Sequence, residues 1–412
     1  MIVMPKSLLQ IIWVSLLLGF ISMVYFLSVL VHLPFLITVL LIIAFGYFSY
    51  RWFNKNIITE DATAISRRQA IWSYIILAVG VCILTNKGYY IETKYGGWDA
   101  WGMWNYHARL LQYPGYARFL LSKTSFAAHA DYPLYLPANI AFFRRLTGID
   151  NAIIPFVFSY IFTLLVPVTI YLALYRKNLP IAALAFFLIV IDDLYLEHGL
   201  SQYADVPLAF LFLCAFICMG YAKKQVAMVA VTGALLGCCM WTKNEGEMLS
   251  VIFILFNIKA LVENKRWKYF IAGIALPLLV LVVFKSMTPT TDLIGAQSAK
   301  THGYISDVSR YQLIWQFLGD NFNHNFLTIK IGLIMYAVFC FAQKKWPGKG
   351  IVILLCAIVG YFFVYVMTPL PLEWHLMTSI DRLLMQLMPS FVFVMALRFS
   401  NLQFSFSDQE LQ

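Results

Sequence analysis

Long apolar stretches alternate with short polar breaks along the chain, and that alternation predicts its elements. Apolar runs near the roughly 20 residues that a membrane-crossing helix needs fall at 8–32, 33–52, 70–86, 152–175, 179–196 and 204–221. Six more fall at 226–241, 248–262, 269–287, 327–341, 350–367 and 383–399. About twelve transmembrane helices are therefore expected, in an all-α polytopic membrane protein. No small-residue cleavage site follows the first run, which reads as a retained helix and not a signal peptide. Residues 87–151 form the expected large first outer loop, 288–326 a second and 368–382 a shorter third. No internal repeat, low-complexity tract or soluble domain is evident. Residues 1–399 read as one membrane unit and 400–412 as a cytoplasmic tail.

Two stretches of the first outer loop have helical periodicity without the length to span. Residues 100–111 bring Trp101, Trp104 and Ala108 near one face. The stretch DYPLYLPANIAFFRRL, 131–146, carries prolines at 133 and 137 and ends in Arg144 and Arg145. Both read as interfacial helices at the water–lipid boundary, where Trp and Tyr gather.

Composition agrees with this class. Of 412 residues, 61% are hydrophobic and 12% charged, more apolar surface than a soluble domain can hide. The net charge of +10 does not point to nucleic acid, because the cations sort into alternate short loops. Arg51, Lys55, Arg67, Arg68, Arg176, Lys177, Lys223 and Lys224 are expected on the cytoplasmic side, with Lys265, Arg266, Lys268, Lys344, Lys345 and Lys349. Both termini are then cytoplasmic. On the same assignment all seven histidines and most carboxylates, Glu92, Asp292 and Asp307 among them, reach the outer face. The seven cysteines fall within apolar runs as packing residues, and no Cys/His spacing suggests zinc.

The outer-face motifs carry the candidate chemistry. GGWDAWGMWNYHARLL, 96–111, sets Asp99 among Trp98, Trp101 and Trp104. Asp99 either caps the following helix or acts as a base in an aromatic wall that raises its pKa. The tryptophans serve either as a membrane anchor or as a sugar-stacking platform. In SQYADVPLAF, Asp205 starts a helix, yet Asp192, Asp193, Glu197 and His198 lie close by. Acids crowded at membrane depth are costly and usually functional. In WTKNEGE, Lys243 suits a phosphate as a point charge, while Asn244 and Glu245 suit hydroxyls. Asp131 and Tyr132 join them as substrate contacts. In EWHLMTSIDRLLMQLMP, Arg382 either snorkels to the interface or clamps a phosphate bidentately, helped by His375.

Together, WDAWGMW, DYPLYLP, QYADVPLA, TKNEG and the segment from Arg382 to Pro389 resemble the GT-C glycosyltransferases. The likeness is to the protein-mannosyltransferase and lipid A aminoarabinose-transferase branch, over roughly residues 96–389. It implies an acceptor-activating Asp in the first outer loop, here Asp99, and a sugar donor carried on a polyprenyl phosphate. A glycan, lipid or protein acceptor, a surrounding membrane lipid and a bacterial inner membrane with the site facing the periplasm or exterior are also implied. Two departures stand out. Many members have an Asp-Glu pair at the first motif, whereas Ala100 follows Asp99, and two helices precede the usual first one.

The residues fit such chemistry by themselves. Sugar transfer passes through an oxocarbenium-like state, with a carboxylate taking the acceptor proton and cations steadying the departing phosphate. Asp99 is the expected base of a direct inverting displacement. Lys243, Arg382 and His375 are expected on the phosphate, and Asp205 and Glu245 on sugar or acceptor. No nucleotide-binding glycine loop is needed, and none is seen. Asp99, Asp205 and Glu245 could converge on a divalent cation, although no metal ligand set is assigned. Two rivals remain: a secondary transporter, whose charges normally sit mid-membrane between related halves, and a lipid-linked polysaccharide polymerase or ligase using the second outer loop.

Overall fold

A computed structural model describes residues 4–60, 66–90, 95–113, 115–290 and 303–400. Glu92, Asp292, Lys300, His302 and the tail at 401–412 lie outside the described residues, as does 291–302 of the second outer loop.

The described residues form seventeen α-helices in chain order. They are α1 (Lys6–Leu30), α2 (Phe35–Asn56), α3 (Arg67–Tyr90), α4 (Asn105–Gln112), α5 (Ala117–Leu120) and α6 (Tyr135–Thr147). Then come α7 (Ile153–Leu174), α8 (Leu179–Val190), α9 (Asp193–Leu200), α10 (Asp205–Ala222), α11 (Ala227–Met240) and α12 (Asn244–Val262). The last are α13 (Trp267–Met287), α14 (Val308–Asn323), α15 (Leu327–Ala342), α16 (Lys349–Met367) and α17 (Leu372–Ser400).

All twelve apolar runs coincide with helices, but the expected twelve spans are not reached. Among the described residues, eight helices are long and apolar enough to cross a membrane, or up to ten if two bent pairs each count once. These pairs are α8 with α9, bent by 62°, and α14 with α15, bent by 90°. Helix α11 has 14 residues, about 21 Å at the α-helical rise, short of a bilayer's hydrocarbon core. Helix α12 has the length but carries Glu245, Glu247 and Lys259, which dilute its apolar character.

Helix α10 is the centre. It is apolar all round, buried from Asp205 to Cys218, and packs on α11, α7 and α17. Helices α2 and α3 are peripheral and keep broad apolar faces outward, as lipid-facing helices do. The short α11 is held by close backbone approach to α13: a Cβ on Gly273 would lie 2.0 Å from Ala230 O. Small residues at such crossings let membrane helices pack tightly. At one end, residues expected to be cytoplasmic gather. Ile58 and Gln225 exchange hydrogen bonds, Arg266 donates to Lys223 O, and Met4–Pro5 pairs in parallel with Thr59–Glu60.

Helices occupy both of the stretches expected to be helical between α3 and α7, as α4 and α6, but α6 is buried from Tyr135 to Phe142 and does not lie on the surface of the fold. A π-turn over Ala100–Trp104 precedes α4, with Asn105 N donating to Ala100 O. The wider turn rotates each residue less than an α-helix does, so the face expected to hold Trp101, Trp104 and Ala108 splits. Trp104 and Ala108 are fully buried, whereas Trp101 is 53% exposed.

His107 of α4 is fully enclosed and donates from Nε2 to Ala128 O at 2.9 Å, leaving Nδ1 buried without a partner among the described residues. Burial pushes its pKa down to about 4. Between that value and the unfolded value near 6.5, the unfolded chain binds the extra proton, so stability is intact above pH 6.5 and falls as pH drops toward 4. The full loss is on the order of 3 kcal/mol. A His107→Gln variant is expected to show a weaker decline in melting midpoint between pH 7 and 4.5; an identical decline would remove His107 as the cause.

Candidate functional site

Four separate polar motifs meet beside the buried start of α10. The first is anchored by glycines. Gly96 has φ +79° and no space for a Cβ, which would lie 2.4 Å from Ala100 Cβ and 2.9 Å from Ser201 O. Gly97 N donates to Ser201 O, and Asn105 Nδ2 donates to Gln202 Oε1. Gln202 itself is buried with φ 61°, a left-handed conformation that only surrounding structure holds in a non-glycine residue. GGWD and SQYAD are therefore fastened together, which sets Asp99 and Asp205 within reach of one cation.

That cation is Arg382 of α17. Its Nη1 donates to Asp99 Oδ2 at 2.6 Å and its Nη2 to Asp205 Oδ2 at 2.9 Å. The guanidinium lies 4.4 Å over the Tyr203 ring, a favourable cation–π position. Its backbone N donates to Asp381 Oδ1, while Asp381 Oδ2 faces His198 Nε2 at 3.4 Å.

Lys243 approaches Asp205 from the other side. The turn that carries it is clamped, since Trp241 Nε1 donates to Ser22 and Tyr135 N donates to Trp241 O. Lys243 Nζ donates to Asp205 Oδ1 at 2.9 Å and pairs with Glu245 Oε1 at 3.1 Å. Burial alone would lower its pKa, but Asp205 and Glu245 outweigh that and raise it. Lys243 is thus held as a cation, with Tyr132 at its flank, 5.8 Å from Nζ to the ring centre.

The result is a chain of alternating charges, Asp99–Arg382–Asp205–Lys243–Glu245. Asp205 is fully buried with both oxygens engaged, Oδ1 also accepting from Gln386 Nε2 at 2.6 Å. Gln386 in turn accepts from Tyr361. The ends of the chain are more open: the side chains of Asp99 and Glu245 are 30% and 18% exposed. Glu245 Oε2 has no partner among the described residues.

Asp99 precedes the π-turn without capping it, because its side chain makes no cap hydrogen bond. The indoles expected around it do not form one cage. Trp98 and Trp101 are exposed and meet edge to face at 4.5 Å, whereas Trp104 is buried against Tyr132. Asp131 and Asn244 form a neighbouring group in which Asn244 Nδ2 donates to Asp131 Oδ2 and Lys285 Nζ donates to Asn244 Oδ1. Lys285 also pairs with Glu247. His375 engages Thr368 Oγ1 at 2.9 Å and the Tyr365 ring, with no bond to the charge chain among the described residues. The sequence did not single out Lys285, Gln386 or Tyr203 as site residues. Lys285 had one visible signal, as a cation closing an otherwise apolar run.

The divalent ion left open by the sequence finds no donor set. Among the described residues, no group of three or more His, Cys, Asp or Glu is placed to hold a metal, and Asp99, Asp205 and Glu245 are interleaved with cations. Comparison with protein-family models, curated proteins and solved structures returns no match.

Proposed function

We propose that this chain is an integral-membrane glycosyltransferase of the GT-C kind, moving a sugar from a polyprenyl-phosphate donor to an acceptor at the outer face. The observation that carries the reading is the single charge chain joining Asp99, Arg382, Asp205, Lys243 and Glu245 from four distant segments. A donor phosphate drawn to Arg382 and Lys243 would loosen Arg382 from Asp99. The freed carboxylate then takes the proton of an acceptor hydroxyl, whose oxygen bonds to the anomeric carbon as the bond to the phosphate oxygen breaks. The leaving phosphate departs with the electron pair, and its charge is met by the two cations. Asp205, with no free oxygen, positions both cations, whereas Glu245 keeps one oxygen, buried and without a partner among the described residues, that a sugar or acceptor hydroxyl would engage once the site opens. The exposed pair Trp98 and Trp101 supplies a stacking surface beside Asp99, and the substrate contacts assigned to Asp131, Tyr132 and Asn244 complete the reading.

The test is mass spectrometry of envelope glycans and lipids from a deletion strain, paired with flux assays on reconstituted protein. Loss of one sugar-bearing component, restored by wild type, supports transfer. A sugar lipid moved unchanged, with no polyprenyl phosphate released, overturns it. The bent pairs α8–α9 and α14–α15 favour that second reading, transport, because discontinuous helices are common in transporters.

A further inference from the structure

A second charged group lies outside the proposed transfer site, between α4 and the end of α6. Arg144 is only 3% exposed. One of its donors, Nη2, reaches Asn151 O at 3.2 Å, whereas Nε and Nη1 are buried without a partner among the described residues. Arg109 Nη1 stands 3.4 Å from Asp150 Oδ2, the same oxygen that accepts from Tyr113 at 3.0 Å. Arg145 follows, its guanidinium 4.6 Å over the Phe35 ring. Two guanidiniums, those of Arg109 and Arg144, therefore stand near one carboxylate. Burial, and after it the charge of Arg109, depresses the pKa of Arg144. Buried guanidinium N–H groups left unpaired are costly, and a polyoxyanion is the partner that suits several of them together.

The place in the fold narrows the anion. Phe35 opens α2, Ile153 opens α7, and Tyr25 near the end of α1 donates to Leu111 O of α4. All three helices have membrane-crossing length, so the arginines stand where spans end, at headgroup level. Leu146, Ile149 and Ile153 are exposed beside them. A free phosphate would use the cations alone, whereas a phospholipid would use the cations and this apolar rim.

We propose that Arg109 and Arg144 bind the phosphate of an anionic phospholipid headgroup, with its acyl chains along Leu146, Ile149 and Ile153. The site is separate from the charge chain and holds whether or not the transfer reading is right.

The full chain, purified and placed in nanodiscs of phosphatidylcholine with or without phosphatidylglycerol, provides the test. Native mass spectrometry is expected to show retained phosphatidylglycerol, and the melting midpoint is expected to rise with it, as binding to the folded state requires. Arg144→Lys and the half-exposed Arg109→Gln should each lose both effects. Arg109→Gln keeps the test valid if the buried variant fails to fold. Equal behaviour in phosphatidylcholine alone, or unchanged retention in Arg109→Gln, overturns the proposal. So does a full midpoint shift from inorganic phosphate in detergent, which would make this a free-phosphate site.

Discussion

Asp205→Asn is expected to leave little folded protein, destabilising the chain by about 3–5 kcal/mol. Asp205 is fully buried and is the one carboxylate shared by Lys243, Arg382 and Gln386. The neutral amide keeps the volume but leaves Arg382 and Lys243 with one carboxylate each, Asp99 and Glu245, in place of two. A typical domain has only 5–15 kcal/mol in total, so the loss reads directly as reduced monodisperse yield and a lower melting midpoint in detergent. Adding Arg382→Met should restore part of the midpoint, because removing both partners costs less than stranding one. An Asp205→Asn protein that melts within a degree of wild type would show that the charge chain is not a buried network at all.

Asp99→Asn is expected to do the opposite: retain the fold and lose turnover by roughly 100- to 10,000-fold, the range of a general base. Asp99 is partly exposed and holds Arg382 through one oxygen. An Asn oxygen can still accept that bond, but it cannot remove a proton. The relevant measurement is kcat for release of polyprenyl phosphate, with the melting midpoint as the control. Turnover within severalfold of wild type would remove Asp99 as the base and turn attention to Glu245 and its unpartnered oxygen. The two variants separate the parts of one chain: its buried middle is expected to govern folding and its exposed end the chemistry.

Much of this was legible in the residues. Twelve apolar runs located the long helices because burial in lipid or core requires apolar side chains over a whole helical length. The patterns at 100–111 and 131–146 located two short helices, and the polar turns WTKNEGE and SQYADVPLAF marked segments that meet. Each of these is a local property, visible within a window of some twenty residues.

What the tertiary structure alone decided is pairing and solvation. Arg382 meets Asp99 across 283 positions, and no spacing rule shows that approach. Asp205 could be read as a cap or a substrate ligand until packing enclosed it between α17 and the turn before α12. Trp101 and Trp104 share a helical face only if the turn is α, and a single π-turn separates them. The expected twelve spans were likewise not reached among the described residues, because a bend at Asp192 or His324 changes where an apolar run points without changing its composition. Apolar periodicity measures how much surface each element must hide; which charges share that hidden space depends on the angles at which the elements cross.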